Sequence, residues 1–96
     1  MIDADRIKHH ALRRLVQKGD ASKINAEWRG KVKRILAMLN AAVDPKELDL
    51  PGFAYHELKH DRKGTHSVTI QGNWRITFKW DEQGPFDVDM EDYHGR

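Results

Sequence analysis

Residues 73–80 alternate between large apolar and polar side chains, and this feature limits the possible folds of the chain more than any other. The apolar positions are Trp74, Ile76, Phe78 and Trp80, and the polar ones are Asn73, Arg75, Thr77 and Lys79. Because successive side chains of a β-strand point to opposite faces, the alternation predicts a strand with one buried and one open face. The buried face needs a second layer of structure to cover it.

The first half of the chain has the helical period of about 3.6 residues and supplies that layer. The pattern predicts a first helix over residues 6–18, ended by Gly19-Asp20, and a second helix over residues 23–43. Ser22 is the expected N-cap of the second helix, and Asp44-Pro45 ends it because the residue before a proline disfavours helical geometry. The apolar stripe of the second helix comprises Ile24, Trp28, Val32, Ile35, Leu36, Leu39 and Val43.

After Gly52 the period returns to 2, and turn sequences divide the chain into further strands. These are predicted over residues 53–59, over residues 65–70 and from Phe86 onward. The last strand is expected to turn one face inward, with Phe86, Val88 and Met90, and to place Asp87, Asp89 and Glu91 on the other. The pattern therefore predicts one α+β domain, residues 1–96, with two N-terminal helices packed on one face of a small, mostly antiparallel sheet of three to five strands.

Composition restricts the environment and the chemistry. The chain has 96 residues, enough for one domain, and contains no cysteine, which excludes disulfides, thiolate catalysis and cysteine-ligated zinc. No apolar run approaches the roughly 18 residues of a membrane span, and the N-terminus lacks the shape of a signal peptide. We expect a soluble, cytoplasmic protein with no membrane partner.

The net charge of +2 conceals an uneven distribution. Residues 1–40 contain ten Lys or Arg against four Asp or Glu, whereas residues 81–96 contain one Arg against six acids. A polyanion would therefore meet local basic patches, formed mainly by the helices and by Lys59, Arg62, Lys63 and Arg75.

The open sheet face is predicted to carry reactive side chains. Arg75 lies there by alternation, and Tyr93 joins it if the alternation continues beyond Met90. His56 reaches the same face only if Tyr55 is the buried neighbour or a bulge intervenes. A cation and a phenol on one uncovered face predict a site.

The C-terminal triplet Asp92-Tyr93-His94 offers groups that accept, donate or transfer a proton. Together with Arg75 and Lys59 as phosphate ligands, it would suit metal-free cleavage of RNA. Two plainer interpretations stay open: the triplet only ties down the last strand, or Arg75 forms a structural ion pair with Asp87 or Asp89 on the neighbouring strand.

His56-Glu57-Leu58-Lys59-His60 matches the H-E-x-x-H zinc signature, which requires a helix so that both histidines share one face. The segment lies between two turn sequences and has the composition of a strand. In a strand the two histidines would be about 13 Å apart, too far to share one zinc ion. We therefore expect no metal site, although His66 or His94 would be the candidates for a third ligand.

Four motifs resemble one known family. Residues 50–59, Leu-Pro-Gly-Phe-Ala-Tyr-His-Glu-Leu-Lys, are similar to the L-P-G-x-x-x-H-x-L-K segment of the RelE/HigB toxins of bacterial type II toxin–antitoxin systems, which include proteins like the plasmid maintenance killer protein. Residues 61–64, 72–78 and 91–94 continue the resemblance in the family's order.

The resemblance implies a RelE-like microbial RNase fold and an mRNA interferase, an endoribonuclease that cleaves mRNA in the ribosomal A site and arrests growth. It implies attack by a 2′-hydroxyl, which leaves a 2′,3′-cyclic phosphate, with no metal or cofactor. The expected partners are mRNA on the 70S ribosome and a cognate helix-turn-helix antitoxin similar to HigA, and the free toxin is expected to be a monomer.

The family's catalytic positions correspond to His56, Asp92, Tyr93 and His94, and its phosphate contacts to Lys59 and Arg75; Arg62 and Lys63 are the further RNA-binding candidates. Glu57 stands where the family commonly has proline, and His60 where it commonly has glycine. The family's N-terminal strand is weakly supported because Asp3 and Asp5 are poor strand formers.

Two other functions remain compatible with the sequence. One is a non-catalytic toxin of the same superfold, similar to ParE, that binds DNA gyrase; the proton-transfer groups argue against it. The other is a simple RNA-binding module, which would bind RNA in a salt-dependent manner and leave it uncut.

Overall fold

The computed structural model describes residues 2–93, and within them two α-helices and a four-stranded antiparallel sheet form the domain. The helices are α1 (His10–Lys18) and α2 (Arg29–Ala41). The strands are adjacent in chain order: β1 (His56–Glu57), β2 (His66–Gln71), β3 (Trp74–Asp81) and β4 (Gly84–Asp92). The predicted α+β class, with helices preceding a small sheet, is confirmed.

Helix α1 begins four residues later than predicted, because the chain before it pairs with the sheet. Ala4–Arg6 form a 3₁₀ turn, and Ile7 then makes a single parallel bridge to Val88 of β4. The backbone N–H of Lys8 donates to the carbonyl of Val88 at 2.7 Å. The weak N-terminal strand signal thus corresponds to one bridge beside β4.

The prediction for the second helix was too long at both ends. α2 starts at Arg29 after a 3₁₀ turn over Ala26–Trp28, which is capped by the side chain of Asn25. Ser22 is not the N-cap; its backbone N–H donates to the side chain of Asp20. The helix ends at Ala41, so Val43 does not join the apolar stripe and is 87% exposed.

The core lies between the two helices and one sheet face. Ile76 and Phe78 of β3 are fully buried there, as the alternation predicted. They pack with the helical residues Leu12, Val32, Ile35 and Leu39, and with Val68 and Val88 of the neighbouring strands. Trp28, Trp74 and Trp80 are partly buried against the edge of this core, which agrees with their predicted structural role.

A β-bulge in β4 changes the predicted facing of its first residues. Thr77 pairs with Asp89, whereas Lys79 pairs with Phe86, and Asp87 has a φ of 49°. The extra residue puts Phe86 in register with a polar residue of β3. The prediction that Phe86 faces inward is therefore wrong: its ring lies outside the core, 5.5 Å from the guanidinium of Arg6.

The strand predicted over residues 53–59 is shorter in the structure, where β1 comprises His56–Glu57 and the buried residues Phe53 and Leu58 lie on either side of it. Phe53 is buried in the core before the strand begins. Leu58 follows the strand and is also buried, with its backbone N–H donating to the carbonyl of Thr65 at 2.8 Å. Within residues 2–93, no helix has the length and hydrophobicity to cross a membrane.

Candidate active site on the open sheet face

The uncovered face of the sheet brings together side chains from β2, β3 and β4. Arg75 pairs with Thr69 on one side and with Glu91 on the other. Thr77 likewise lies between Ser67 and Asp89. Residues directly opposite each other in an antiparallel pair share a face, so these side chains form one polar surface.

The guanidinium of Arg75 has few partners among the described residues. One terminal nitrogen donates to the hydroxyl of Ser67 at 3.3 Å, and the buried Nε has no partner among the described residues. Within residues 2–93 Arg75 forms no ion pair, so the alternative in which Asp87 or Asp89 neutralises it is wrong. A buried donor without a partner is unfavourable. The uncompensated charge of the guanidinium is the feature that would favour an anion at this face.

Tyr93 lies next to Arg75, as predicted from the alternation. Its backbone N–H donates to the carbonyl of Asn73 at 2.8 Å, which continues the β3–β4 pairing beyond the last strand residue. The centroid of its ring is 5.8 Å from the guanidinium carbon of Arg75 and 5.9 Å from that of Arg62. Two guanidinium groups therefore converge on one phenol.

Arg62 reaches this face from the 3₁₀ turn His60–Arg62 that follows β1. Its two terminal nitrogens donate to the two carboxylate oxygens of Glu91, both at 2.8 Å. The hydroxyl of Thr77, which is 1% exposed, donates to the same carboxylate. These hydrogen bonds, those from Arg62 above all, hold the pKa of Glu91 below its usual value.

Glu91 and Thr77 were not among the residues predicted to form the site. Their positions on the open face follow from alternation, but the contact between Glu91 and a turn 29 residues earlier does not. The sequence contains no signal for this network, because a threonine at a polar position of an alternating strand is ordinary and its burial is seen only in the structure.

His56 satisfies the condition for reaching the open face. It pairs with Ser67, the residue that accepts the hydrogen bond from Arg75. Its neighbour Tyr55 turns the other way and packs against the core, with its hydroxyl 2.9 Å from Nδ1 of His66. The carbonyl of Ala54 accepts from Nδ1 of His56 at 3.1 Å, which puts the proton on Nδ1 and leaves Nε2 able to accept one.

The remaining predicted site residues are Asp92, Lys59, Lys63 and His94. Asp92 pairs with Trp74, so its side chain belongs by register to the opposite face from Tyr93, although it is exposed at the strand end. Lys59 and Lys63 are exposed on either side of the turn that carries Arg62. His94 lies outside the described residues.

A cavity of about 430 Å³ lies beside this cluster on the same face. Arg62, Thr77 and Glu91 line it together with Lys8, Lys79 and other charged residues. The Arg62–Glu91 pair thus stands between the cavity and the ring of Tyr93. The volume is within the range of small-ligand sites, and the lining contains four carboxylates, Asp61, Asp87, Asp89 and Glu91, beside its four cations.

The H-E-x-x-H sequence does not form a helix. His56 and Glu57 are strand residues, and His60 begins the 3₁₀ turn with a φ of 61°. The two histidines are therefore not one helical turn apart. Across residues 2–93, no group of three or more potential ligands (His, Cys, Asp or Glu) is arranged to hold a metal ion.

The fold and this face define a small α+β domain whose open sheet face places two guanidinium groups near one phenol. Comparison with known proteins defines it further. A family model described as the RelE-like toxin of the type II toxin–antitoxin system HigB matches residues 5–94. The chain is also 34% identical over 87 residues to the protein named Endoribonuclease HigB from Proteus vulgaris. The aligned region covers 91% of this chain and 95% of that protein. The chain belongs to the HigB-like family of RelE-like type II toxins.

Proposed function

We propose that this toxin is an endoribonuclease that cleaves mRNA in the A site of translating ribosomes, with catalysis by the groups on the open sheet face. The observation that carries the proposal is Arg75, which forms no ion pair within residues 2–93 and whose guanidinium carbon lies 5.8 Å from the ring centroid of Tyr93. The name of the Proteus vulgaris relative supports nuclease activity over the gyrase-binding alternative.

The proposed reaction is an intramolecular transfer within the RNA. The 2′-oxygen attacks the adjacent phosphorus as a base removes its proton, and the bond from phosphorus to the 5′-oxygen breaks as an acid protonates that oxygen. The products are a 2′,3′-cyclic phosphate and a 5′-hydroxyl. Negative charge grows on the phosphate oxygens during the reaction, so cations placed there lower the barrier.

The described side chains supply these roles. Arg75 and Arg62 provide guanidinium N–H groups for the phosphate oxygens, and the exposed Lys59 and Lys63 add positive charge at the approach. The hydroxyl of Tyr93 is the proposed donor to the 5′-oxygen. Nε2 of His56 is available as a base.

Two further groups of the proposed site come from the family pattern and not from the open face, since Asp92 belongs by register to the opposite face from Tyr93. Asp92 and His94 complete the terminal triplet. A carboxylate two residues from an imidazole would favour its charged form and orient it for proton transfer.

Membership of a type II toxin family implies a protein antitoxin. We propose that this antitoxin is a helix-turn-helix protein similar to HigA and that the toxin acts in the cytoplasm, where mRNA is translated. The ribosome would present a single-stranded, ordered message to the open face. This would reduce the entropic cost of aligning the 2′-oxygen with the phosphate.

The test is induced expression in a bacterial host, followed by primer extension on cellular mRNA. The wild type should arrest growth and produce in-frame cuts, with 5′-hydroxyl ends on the downstream fragments. Tyr93→Phe should abolish visible cutting and relieve the arrest, because loss of a positioned proton donor costs roughly 10²- to 10⁴-fold in rate. Thermal unfolding should show that the variant is folded.

Tyr55→Phe is the matched control, since the chain has two tyrosines and Tyr55 packs against the core away from the site. It should remain toxic. Full toxicity of folded Tyr93→Phe would refute the assignment of the site. DNA damage without mRNA cuts would indicate a gyrase-binding toxin, and salt-sensitive RNA binding without cuts would indicate an RNA-binding module.

A further inference from the structure

We propose that Glu91 is a positioning residue of the cleavage site, which fixes the guanidinium of Arg62 against Tyr93 and leaves Arg75 unneutralised for the substrate phosphate. This inference rests on the proposed function and deepens it. It assigns a role to a carboxylate that lies inside a site for a polyanion, where a negative charge would otherwise hinder binding.

The first observation is the number of hydrogen bonds that converge on Glu91. Its carboxylate accepts from both terminal nitrogens of Arg62 and from the buried hydroxyl of Thr77. The parallel fork from Arg62 fixes distance and plane together, which a single ion pair does not do. The carboxylate is thus anchored from the sheet by Thr77 and holds the turn that carries Arg62.

The second observation is the choice of partner. Arg75 is the residue directly opposite Glu91 on β3, yet the carboxylate pairs with Arg62 instead. Arg75 consequently forms no ion pair within residues 2–93. One arginine is held by the protein, and the other keeps its charge for an incoming anion.

The third observation is that both arginines lie near the same ring, at 5.9 and 5.8 Å from the centroid of Tyr93. Two like charges at one phenol repel each other, and the long side chain of Arg62 loses rotamer freedom when it is held there. Glu91 offsets both effects. Because a carboxylate repels a phosphodiester, Glu91 assists cleavage only through Arg62.

This role predicts that substrate binding and cleavage respond in opposite ways. Glu91→Gln retains the size of the side chain and removes its charge. RNA binding should be unchanged or tighter, since one negative charge leaves the site and Arg62 is released. The maximal cleavage rate should fall by about 10- to 100-fold, because a displacement on the order of 1 Å in a positioned group costs rates of this size.

The experiment measures cleavage of a 5′-labelled mRNA on purified 70S ribosomes at increasing toxin concentration. It yields the maximal rate and the toxin concentration at half-saturation. Glu82→Gln, the same chemical change in the exposed turn after β3, is the control and should match the wild type in both values. Arg62→Lys keeps the positive charge but cannot form the fork, so it should also lose maximal rate with little change in half-saturation.

The proposal is supported if both Glu91→Gln and Arg62→Lys lower the maximal rate while the toxin concentration at half-saturation stays the same or falls. Equal rates for Glu91→Gln and wild type would overturn it, as would a faster variant, which would show that Glu91 restrains the site. A parallel loss of rate and of binding would also overturn it, because that pattern indicates a general structural role. If Glu91→Gln does not fold, Arg62→Lys decides by the same criteria.

The design separates this inference from the proposed function. Failure of the wild-type toxin to cut mRNA would refute the proposed function itself. Efficient wild-type cutting together with an unaffected Glu91→Gln would refute only the role of Glu91.

Discussion

The hydroxyl of Thr77 should contribute measurably to stability, and Thr77→Val isolates this contribution. Valine has almost the same shape and fits a fully buried strand position, so the change removes the hydrogen bond to Glu91 and little else. A hydrogen bond to a charged group contributes about 1.5–3 kcal/mol. The side chain of Glu91 is 26% exposed, which allows water to replace part of the lost interaction.

We therefore expect Thr77→Val to lower the free energy of unfolding by about 1–2 kcal/mol at neutral pH. For a domain of this size, that loss corresponds to a fall in Tm of roughly 5–10 °C. Urea denaturation followed by tryptophan fluorescence gives the free energy, and thermal unfolding gives the Tm.

The effect should depend on pH in a direction fixed by Glu91. The pKa of its carboxyl is lowered from 4.5, chiefly by the hydrogen bonds from Arg62. A group with a lowered pKa in the folded state stabilises the protein above its unfolded pKa, and this stabilisation is lost as the pH falls through the folded pKa. The difference between wild type and Thr77→Val should therefore be full above pH 4.5 and should shrink below it.

Thr69→Val is the matched control. Thr69 lies on the same face of β2, opposite Arg75, and no hydrogen bond of its hydroxyl to another described residue is seen. It should cost less than about 0.5 kcal/mol, as is usual for substitutions that break no specific interaction. An equal loss in both variants would refute the argument that the hydroxyl acts through the ionised carboxylate. So would a Thr77→Val effect that does not shrink as the pH falls through the range, below pH 4.5, in which the folded Glu91 becomes protonated.

Two further predictions concern histidines outside the catalytic set. Burial lowers the pKa of His66, so the unfolded chain takes up a proton near pH 6.5 before the folded chain does. The free energy of unfolding should therefore fall as the pH drops below 6.5. His66→Gln should weaken this fall, which urea titrations between about pH 7.5 and 5.5 would measure. His60 has a φ of 61°, a conformation that glycine adopts without strain. His60→Gly should therefore raise the free energy of unfolding by about 0.5–1 kcal/mol. A loss of stability would show that the His60 side chain makes a compensating contact.

Local patterns were sufficient to predict the fold class and one face of the sheet. The alternation around Trp74 and Phe78 placed β3 correctly because the apolar residues at its centre, Ile76 and Phe78, are buried against the helices. It did not predict that Thr77, on the polar face, is buried as well. The predictions failed where non-local contacts decide the structure. Ile7 pairs with β4 rather than starting a helix, and the bulge at Asp87 reverses the facing of Phe86. Neither the bridge nor the bulge has a local sequence signature.

The site was predictable to a similar extent. Alternation placed Arg75 and Tyr93 on one face, and the structure confirms this arrangement. It could not predict that Arg62 would be held by Glu91, because this pairing depends on how the turn after β1 folds back over β4. The family motif likewise indicated a glycine-like position at residue 60 without giving its cause, which is a backbone in the left-handed region.

The charge arrangement on the open face explains how a site for a polyanion can be stable before the substrate binds. Arg62 and Arg75 near one ring would repel each other in the free toxin, and the cost would be greatest where water is partly excluded. Neutralising both with carboxylates would stabilise the free protein but leave no charge for a phosphate. Pairing Arg62 with Glu91, while Arg75 forms no ion pair within residues 2–93, reduces the repulsion and retains one full cation where the phosphate is proposed to bind.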